Sequence, residues 1–426
     1  LVMRDEVIKN LALAEIEKIM RRRGMSLHDY GTMPFPVLNR NEASMNILVM
    51  DELNYDRRAL TIENEQLVAN MTDEQRNVYD SIMDSVYCSH GRIFFVYGYG
   101  GTGKTYIWRA LSFGLRSKGE IVLNVASSGI ASLLLPGGRT AHSRFRIPIN
   151  PTEGSTCDIS QQSPLADLIV RCRLIIWDEA PMMNKYCFQA VDNTLRALMQ
   201  VVDPSMKNLP FGGKSVVFGG DFRQILPVVP KGTRSDIVNA TINSSSLWRD
   251  CIVLRLTQNM RLRSLGGGGE YDELRLFSEW LASIGDGTAG GPNDGCADID
   301  IPDDILLKSQ GDPIASIVES TYPMFRSSGD DLSYLKDRAI LAPTLDVVES
   351  VNEYMSSLNT SEGRTYLSSY SACKSDAGYD YLHDLHTPEF LNGIKCSGLP
   401  NHKLHLKVGT PVMLLRNIDH SMGLCN

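Results

Sequence analysis

One run of eight residues restricts this chain more than any other feature. Gly98-Tyr99-Gly100-Gly101-Thr102-Gly103-Lys104-Thr105 matches G-x-x-x-x-G-K-[ST] at every fixed position. The pattern also makes demands on its flanks, where an apolar strand must deliver the chain and a helix must carry it away. Residues 93–97, Ile-Phe-Phe-Val-Tyr, read as that strand, and 106–115 read as the helix. A chance glycine turn has no reason to satisfy all three conditions. In such a loop the glycines let backbone N–H groups wrap an anion. Gly98, Gly100, Gly101, Thr102 and Gly103 would form the cradle, and Lys104 would place a point charge on the β and γ phosphates. Thr105 would offer a hydroxyl to Mg²⁺, and the helix N-terminus adds its dipole. The expected ligands are therefore ATP and Mg²⁺.

A P-loop needs a parallel sheet behind it. Further strand candidates are 121–125, 174–177, 215–218 and 252–256, all apolar nearly throughout. Such strands suit a parallel sheet covered on both faces, an α/β fold of the P-loop NTPase class. The chain has 426 residues, more than one domain of about 100–200 residues accommodates. No apolar run reaches the roughly 18–20 residues of a membrane span. Nine cysteines without a C-x-x-C pair point to reduced thiols inside a cell. The net charge of −8 excludes a basic coat, so contact with nucleic acid would need a local groove.

Three regions follow from the patterning. Residues 1–70 form a helical lead segment. Val7, Ile8, Leu11, Ile16, Ile19 and Met20 fall at helical spacing, Glu17 and Arg21 pair at i,i+4, and three arginines at 21–23 before Gly24 read as a helix end. Residues 71–262 carry the α/β alternation. Residues 263–426 begin with a glycine hinge at 266–269. Next comes a helix with an apolar stripe at Leu274, Phe277, Leu281 and Ile284, stopped by Gly285. A loop-rich stretch covers 287–313, and a second α/β unit starts at 338–341. Short β-strands are expected over 403–417, around Gly409-Thr410-Pro411.

Several other motifs carry chemistry. Leu174-Ile175-Ile176-Trp177-Asp178-Glu179 is a buried strand ending in two acids. Downstream of a P-loop, Asp178 would hold Mg²⁺ and Glu179 would orient and deprotonate the attacking water. A third strand runs into Gly219-Gly220-Asp221-Phe222-Arg223-Gln224, where the Gln224 amide can sense a γ-phosphate; on its own this would be a surface turn. Arg261, after Leu256-Thr257-Gln258-Asn259-Met260, is a candidate arginine finger acting in cis. Gln75 has two readings: half of a Thr72-x-x-Gln75 capping box, or an amide edge for adenine. The cap is the reading its residues favour. The cluster His142, Ser143, Arg144, Phe145 and Arg146 mixes stacking groups with cations, as single-stranded DNA binding requires. A solvated strand with one core aromatic fits it equally. His383-x-x-His386, and Cys396 with His402-x-x-His405, fit no zinc spacing well.

Taken in order, the stretches 98–105, 138–143, 176–182, 219–224 and 256–261 resemble the Pif-type ("petite integration frequency") DNA helicases. The resemblance extends to Ala339-Ile340-Leu341-Ala342-Pro343-Thr344 and to 406–417, and is nearest the plant branch related to Helitron transposon helicases. It implies tandem RecA-like domains with ATP between them and a small β-rich insertion near the C-terminus. It implies 5′-to-3′ movement on single-stranded DNA and at duplex junctions. It implies roles in DNA repair, recombination and telomere or genome maintenance, in the nucleus or the mitochondrion. It also makes Thr344, at a helix start, a contact for the DNA backbone. Two family motifs, a Lys-Ser-Gln-Gly element and a second phosphate-sensing arginine, lie beyond Asn426, so the second RecA-like domain is expected to be incomplete. Two alternatives stay open: a motor-dead DNA-binding remnant of a transposon helicase, and a P-loop switch acting on protein partners.

Overall fold

The structure, a computed structural model, describes residues 5–21, 25–36, 46–88, 91–263, 269–291, 297–309, 311–325, 334–335, 337–369, 392–393 and 401–412. It divides into two compact units, Leu1–Gly295 and Cys296–Asn426. The sequence reading places that division at 262/263 instead. The arginine run after residue 21, the glycines at 266–268, His383, His386, Cys396 and the stretch from 413 onward lie outside the described residues. Among the described residues no helix is long and apolar enough to cross a membrane.

The first unit is built on six parallel strands. These are β1 (Ile93–Tyr97), β2 (Val122–Ala126), β3 (Arg139–Thr140), β4 (Leu174–Asp178), β5 (Ser215–Gly220) and β6 (Cys251–Arg255), in spatial order β3-β2-β4-β5-β1-β6. β2, β4 and β5 are buried along their whole length, as near-continuous apolar runs require when helices cover both faces. Alternate side chains enter separate core layers. Phe95, Ile175, Trp177, Val216 and Phe218 meet the helices Pro164–Arg171 and Lys185–Val202 on one face. Phe94, Val96, Ile176 and Val217 meet Ile107, Trp108 and Leu111 of the helix Lys104–Arg116 and Val78 and Ile82 of the helix Asp73–Tyr87 on the other. β3, only two residues long, carries no apolar run and escapes sequence reading.

Residues 46–69 of the lead segment pack against the helices of the first unit. The helix Arg57–Ala69 lies against Lys104–Arg116, where the Tyr106 hydroxyl donates to the Leu67 carbonyl at 2.7 Å. The helix Ile47–Leu53 packs on Pro164–Arg171, with the Asn46 amide donating to the Pro164 carbonyl at 2.7 Å and to Asp167 at 2.8 Å. Between them Glu52, itself buried, joins Arg116 at 3.2 Å and Arg144 at 2.7 Å. Tyr55 places its ring 4.4 Å from the Arg116 guanidinium. One carboxylate therefore serves two buried arginines. The amphipathic helix Asp5–Arg21 forms as its spacing predicts, with Glu17 accepting from Arg21 at 2.7 Å and from the Leu27 amide at 2.7 Å.

The helix Gly269–Gly285 also forms, and Leu274, Phe277 and Leu281 are exposed on it. In the second unit, the helices Pro313–Thr321 and Leu345–Leu358 contact each other and bury Val318 and Val351. An antiparallel hairpin pairs β7 (Gly363–Leu367) with β8 (Lys403–Lys407). Residues 338–341 belong to no strand, and Leu341 is 94% exposed.

Removing Glu52 leaves two guanidinium groups buried without their acid. Glu52→Ala is expected to destabilise the first unit by about 3–5 kcal/mol, the range for breaking a buried ion pair on one side. Denaturant unfolding measures it, and a change within experimental error would show that residues 46–56 do not support the fold.

Candidate active site

Parallel strands end on the same edge of a sheet, so the loops after β1, β4, β5 and β6 meet there. The β1 ladder runs past the strand ends: the Gly98 N–H donates to the Gly220 carbonyl at 3.4 Å, and the Leu256 N–H to the Tyr97 carbonyl at 2.8 Å. Between them the chain turns through residues 98–103. Gly101 and Gly103 hold φ of 90° and 87°, conformations that L side chains rarely adopt. A Cβ on Gly103 would also collide with the Gln75 amide. The helix Lys104–Arg116 starts at Gly103 with no side-chain cap, which leaves its first amides as donors for an anion. Lys104 is only 8% exposed. Its ammonium donates to the Gly98 carbonyl and, at 3.5 Å, to the Tyr99 carbonyl. The loop is closed on its own lysine.

Gln75 reconciles part of its two readings. Its backbone N–H donates to Thr72 Oγ1 at 3.3 Å, and its Oε1 accepts from the Thr72 N–H at 3.2 Å, completing the capping box. Its Nε2 donates to the Thr102 carbonyl at 3.3 Å. The amide thus ties a helix start to the P-loop, and both of its ends are engaged.

The acids gather beside this loop. Asp178 closes β4 and is buried, with its Oδ1 accepting from the Glu179 N–H at 3.1 Å. Burial raises its pKa, opposed by that hydrogen bond and by Lys104. Glu179 has φ of 52°, an unusual conformation for a non-glycine residue and one that marks functional turns. Burial raises the Glu179 pKa first, Asp178 and Asp221 add to the rise, and Lys104 opposes it. Glu179 Oε2 is buried without a hydrogen-bond partner in the protein, so it keeps an acceptor for a water or a metal-bound group. Asp221 is buried one residue beyond β5. Among the described residues no group of three or more His, Cys, Asp or Glu could hold a metal by itself. A magnesium ion does not need one, because it takes one or two protein oxygens and completes its shell with phosphate and water. Thr105, half-buried, and Asp178, buried, are oxygen ligands of the kind such an ion takes.

Gln224 is exposed in the turn after β5, where its N–H donates to the Asp221 carbonyl at 3.1 Å. Arg261 lies beside the P-loop: its Cδ is 3.3 Å from the point a Cβ on Gly101 would occupy. The Met260 N–H donates to the Gly101 carbonyl at 2.8 Å. Three neighbours escaped sequence reading. Glu74 accepts from the Thr257 N–H at 2.9 Å and from the Thr257 hydroxyl at 2.5 Å. The Tyr99 hydroxyl donates to the Thr257 carbonyl at 2.7 Å. Arg223 grips Asp286 with two bonds of 2.7 and 2.8 Å and places its guanidinium 5.4 Å from the Tyr99 ring. Glu74 stands half-buried in the first turn of a helix, and Tyr99 and Arg223 stand inside motifs quoted for other residues, so nothing local marked these contacts.

The proposed DNA cluster divides. Residues 141–145 form a short helix, not a strand. His142 and Ser143 are exposed on it, as is Arg146 just after it. Phe145 is fully buried and stacks on Trp177 with centroids 5.8 Å apart, so it is a core residue and no platform for a base. Arg144 is buried against Glu52 and cannot meet a phosphate from there. Both expectations are corrected: the helix turns these two side chains inward. In the second unit, Thr344 is exposed ahead of the helix Leu345–Leu358, whose start has no side-chain cap. His402 and His405 bond to Ser368 and Thr365 across the hairpin at 2.9 and 3.0 Å, which gives them a structural use.

Comparison with known proteins follows the same residues. The family described as "PIF1-like helicase" matches residues 70–295, and "DNA helicase Pif1, 2B domain" matches 389–426. An ATP-dependent DNA helicase Pif1 of Psychrobacter is 30% identical over 188 residues, 44% of this chain and 27% of that protein. The human ATP-dependent DNA helicase PIF1 is 27% identical over 206 residues, 45% of this chain and 30% of its own length. The Xenopus laevis protein of the same name is 25% identical over 363 residues, 84% of this chain and 46% of that protein. The crystal structure of the Candida albicans Pif1 helicase aligns with a TM-score of 0.49 at 20% identity, over 82% of this chain and 66% of that one. The chain spans less than half the length of these curated relatives. With the helicase family matched over more than half of its 426 residues, the chain belongs to the PIF1-like helicases.

Proposed function

We propose that the chain is the ATP-hydrolysing part of a DNA helicase of the plant, Helitron-related branch, stepping 5′-to-3′ along single-stranded DNA and acting at duplex junctions. Its setting on this reading is DNA repair, recombination and telomere or genome maintenance, in the nucleus or the mitochondrion. The observation that carries the reading is the convergence of a closed P-loop with Asp178, Glu179 and Asp221 at one sheet edge.

The residues divide the work. Amides of 100–105 and the Lys104 ammonium grip the triphosphate. Thr105 and Asp178 would hold Mg²⁺, which when bound draws charge off the phosphate oxygens. Glu179 orients a water and accepts its proton at the carboxylate. Gln224 and Arg261 answer to the γ-phosphate, Arg261 adding charge where the transition state needs it. His142 and Ser143, exposed on their helix, and Thr344, at an uncapped helix start, are the proposed DNA contacts.

Two measurements test this reading in the full-length protein. Lys104→Ala is expected to abolish DNA-stimulated ATP hydrolysis, a loss of about a hundredfold or more for a preorganised charge. Wild-type turnover would reject the site, and turnover indifferent to single-stranded DNA would favour a switch acting on proteins. The pH profile tests Glu179. A base must be unprotonated, and its carboxyl is raised above the ordinary 4.5. Activity should therefore fall as pH drops through a midpoint above that value. Asp221→Asn removes one of the charges raising it, so the acid limb of kcat/KM should move to lower pH. Movement the other way would contradict the assignment.

A further inference from the structure

The segment that carries Arg261 is not held by its own strand. β6 ends at Arg255, and after the Leu256 N–H has bonded to Tyr97 the chain leaves the sheet. Three outside groups then fix it. Glu74 takes the Thr257 N–H at 2.9 Å, the Thr257 hydroxyl at 2.5 Å and the Gln258 N–H at 3.4 Å. The Tyr99 hydroxyl donates to the Thr257 carbonyl at 2.7 Å, and the Gly101 carbonyl accepts from the Met260 N–H at 2.8 Å. Asn259 then accepts from the Arg261 N–H at 3.0 Å and opens the short helix Met260–Arg263. Two of the three anchors, Tyr99 and Gly101, belong to the P-loop itself. The third, Glu74, sits next to Gln75, whose amide also reaches the P-loop. The helix start at 72–75 therefore grips both sides of the place where a triphosphate would lie.

We propose that Glu74 is a positioning residue of this active site, holding the turn 257–261 against the P-loop so that the Arg261 guanidinium stands in register with the phosphates. The proposal rests on the reading of Arg261 as a phosphate-facing arginine. The chemistry favours a carboxylate at 74. Three donors converge on it, and an ionised acid supplies two oxygens with acceptor sites for all of them. A glutamine supplies one oxygen and turns an NH₂ toward the remaining donors. Partial burial pushes the Glu74 carboxyl up, and the bonds from Thr257 and Gln258 outweigh it, holding the acid below its ordinary 4.5. A helix-start acid with only a dipole to satisfy would not collect three bonds from a segment more than 180 residues away.

The test is a double-mutant cycle on DNA-stimulated ATPase in the full-length protein, using Glu74→Gln and Arg261→Ala. Glu74→Gln alone should lower kcat about tenfold with KM for ATP little changed, as displacing a reacting-side group does. In the Arg261→Ala background it should lower kcat no further. Thr257→Val, which deletes one bond and keeps the backbone donor, should give a smaller loss of the same kind and covers the case in which Glu74→Gln fails to fold. Unchanged kcat in a folded Glu74 or Thr257 variant would overturn the proposal, as would an equal loss in both backgrounds, since a merely structural role acts whether or not Arg261 is present. Wild-type kcat in Arg261→Ala alone would reject the reading of Arg261, and the proposal with it. A loss in Arg261→Ala without coupling to Glu74 rejects the proposal only.

Discussion

The hydrogen-bond ladder of β1 fixes the position of every reactive group in the first unit. β1 lies between β5 and β6 and pairs with both along its full length. One added bond on each side, from Gly98 to Gly220 and from Leu256 to Tyr97, carries the registration beyond the strand ends. The P-loop, the Asp221–Gln224 turn and the Arg261 segment are thereby held at one level. β4, bonded to β5, brings Asp178 and Glu179 to the same edge. Both faces of β1, β4 and β5 are sealed by aromatic and aliphatic side chains, so a slip of one residue would drive each core layer into the other. The catalytic edge inherits that rigidity.

The site that results is electrostatically tense. Asp178 and Asp221 are buried, Glu179 is half-buried, and Lys104 is the cation that opposes the rise in the pKa of Asp178 and Glu179. Meanwhile the Lys104 ammonium is bonded to carbonyls of its own loop. A triphosphate entering here would replace those carbonyls and bring the negative charge that a metal at the acids requires. Burial that is unfavourable for the protein alone becomes favourable with substrate present. Glu179, with its strained backbone and an unpartnered oxygen, is the point where function most clearly overrides stability.

What could be read in the sequence was what local chemistry dictates. The P-loop, its strand and its helix were legible because each is a short-range pattern. The strands β1, β2, β4 and β5 were legible because burial on both faces writes continuous apolar runs, and the edge strand β6 was legible from its apolar residues although Ile252 and Val253 are exposed. Contacts between distant segments left no such trace. Arg144 and Phe145 look like nucleic-acid ligands until Glu52 and Trp177 take them inward. Within the lead segment 1–70, nothing in the sequence announces that Glu52 and Tyr55 close on Arg116. The apolar stripe at 274–284 announced the helix Gly269–Gly285, although Leu274, Phe277 and Leu281 are exposed on it. Glu74 was invisible as a functional residue because its partners, Thr257 and Gln258, are remote in sequence.

Binding of a nucleotide must break the loop's self-contact, and a structure of the chain with ADP and Mg²⁺ tests this most directly. The ammonium of Lys104 is expected to have left the Gly98 and Tyr99 carbonyls for the phosphates, with Thr105 and Asp178 at the metal. Phosphates lodged elsewhere, or Lys104 still on both carbonyls beside a filled loop, would contradict it.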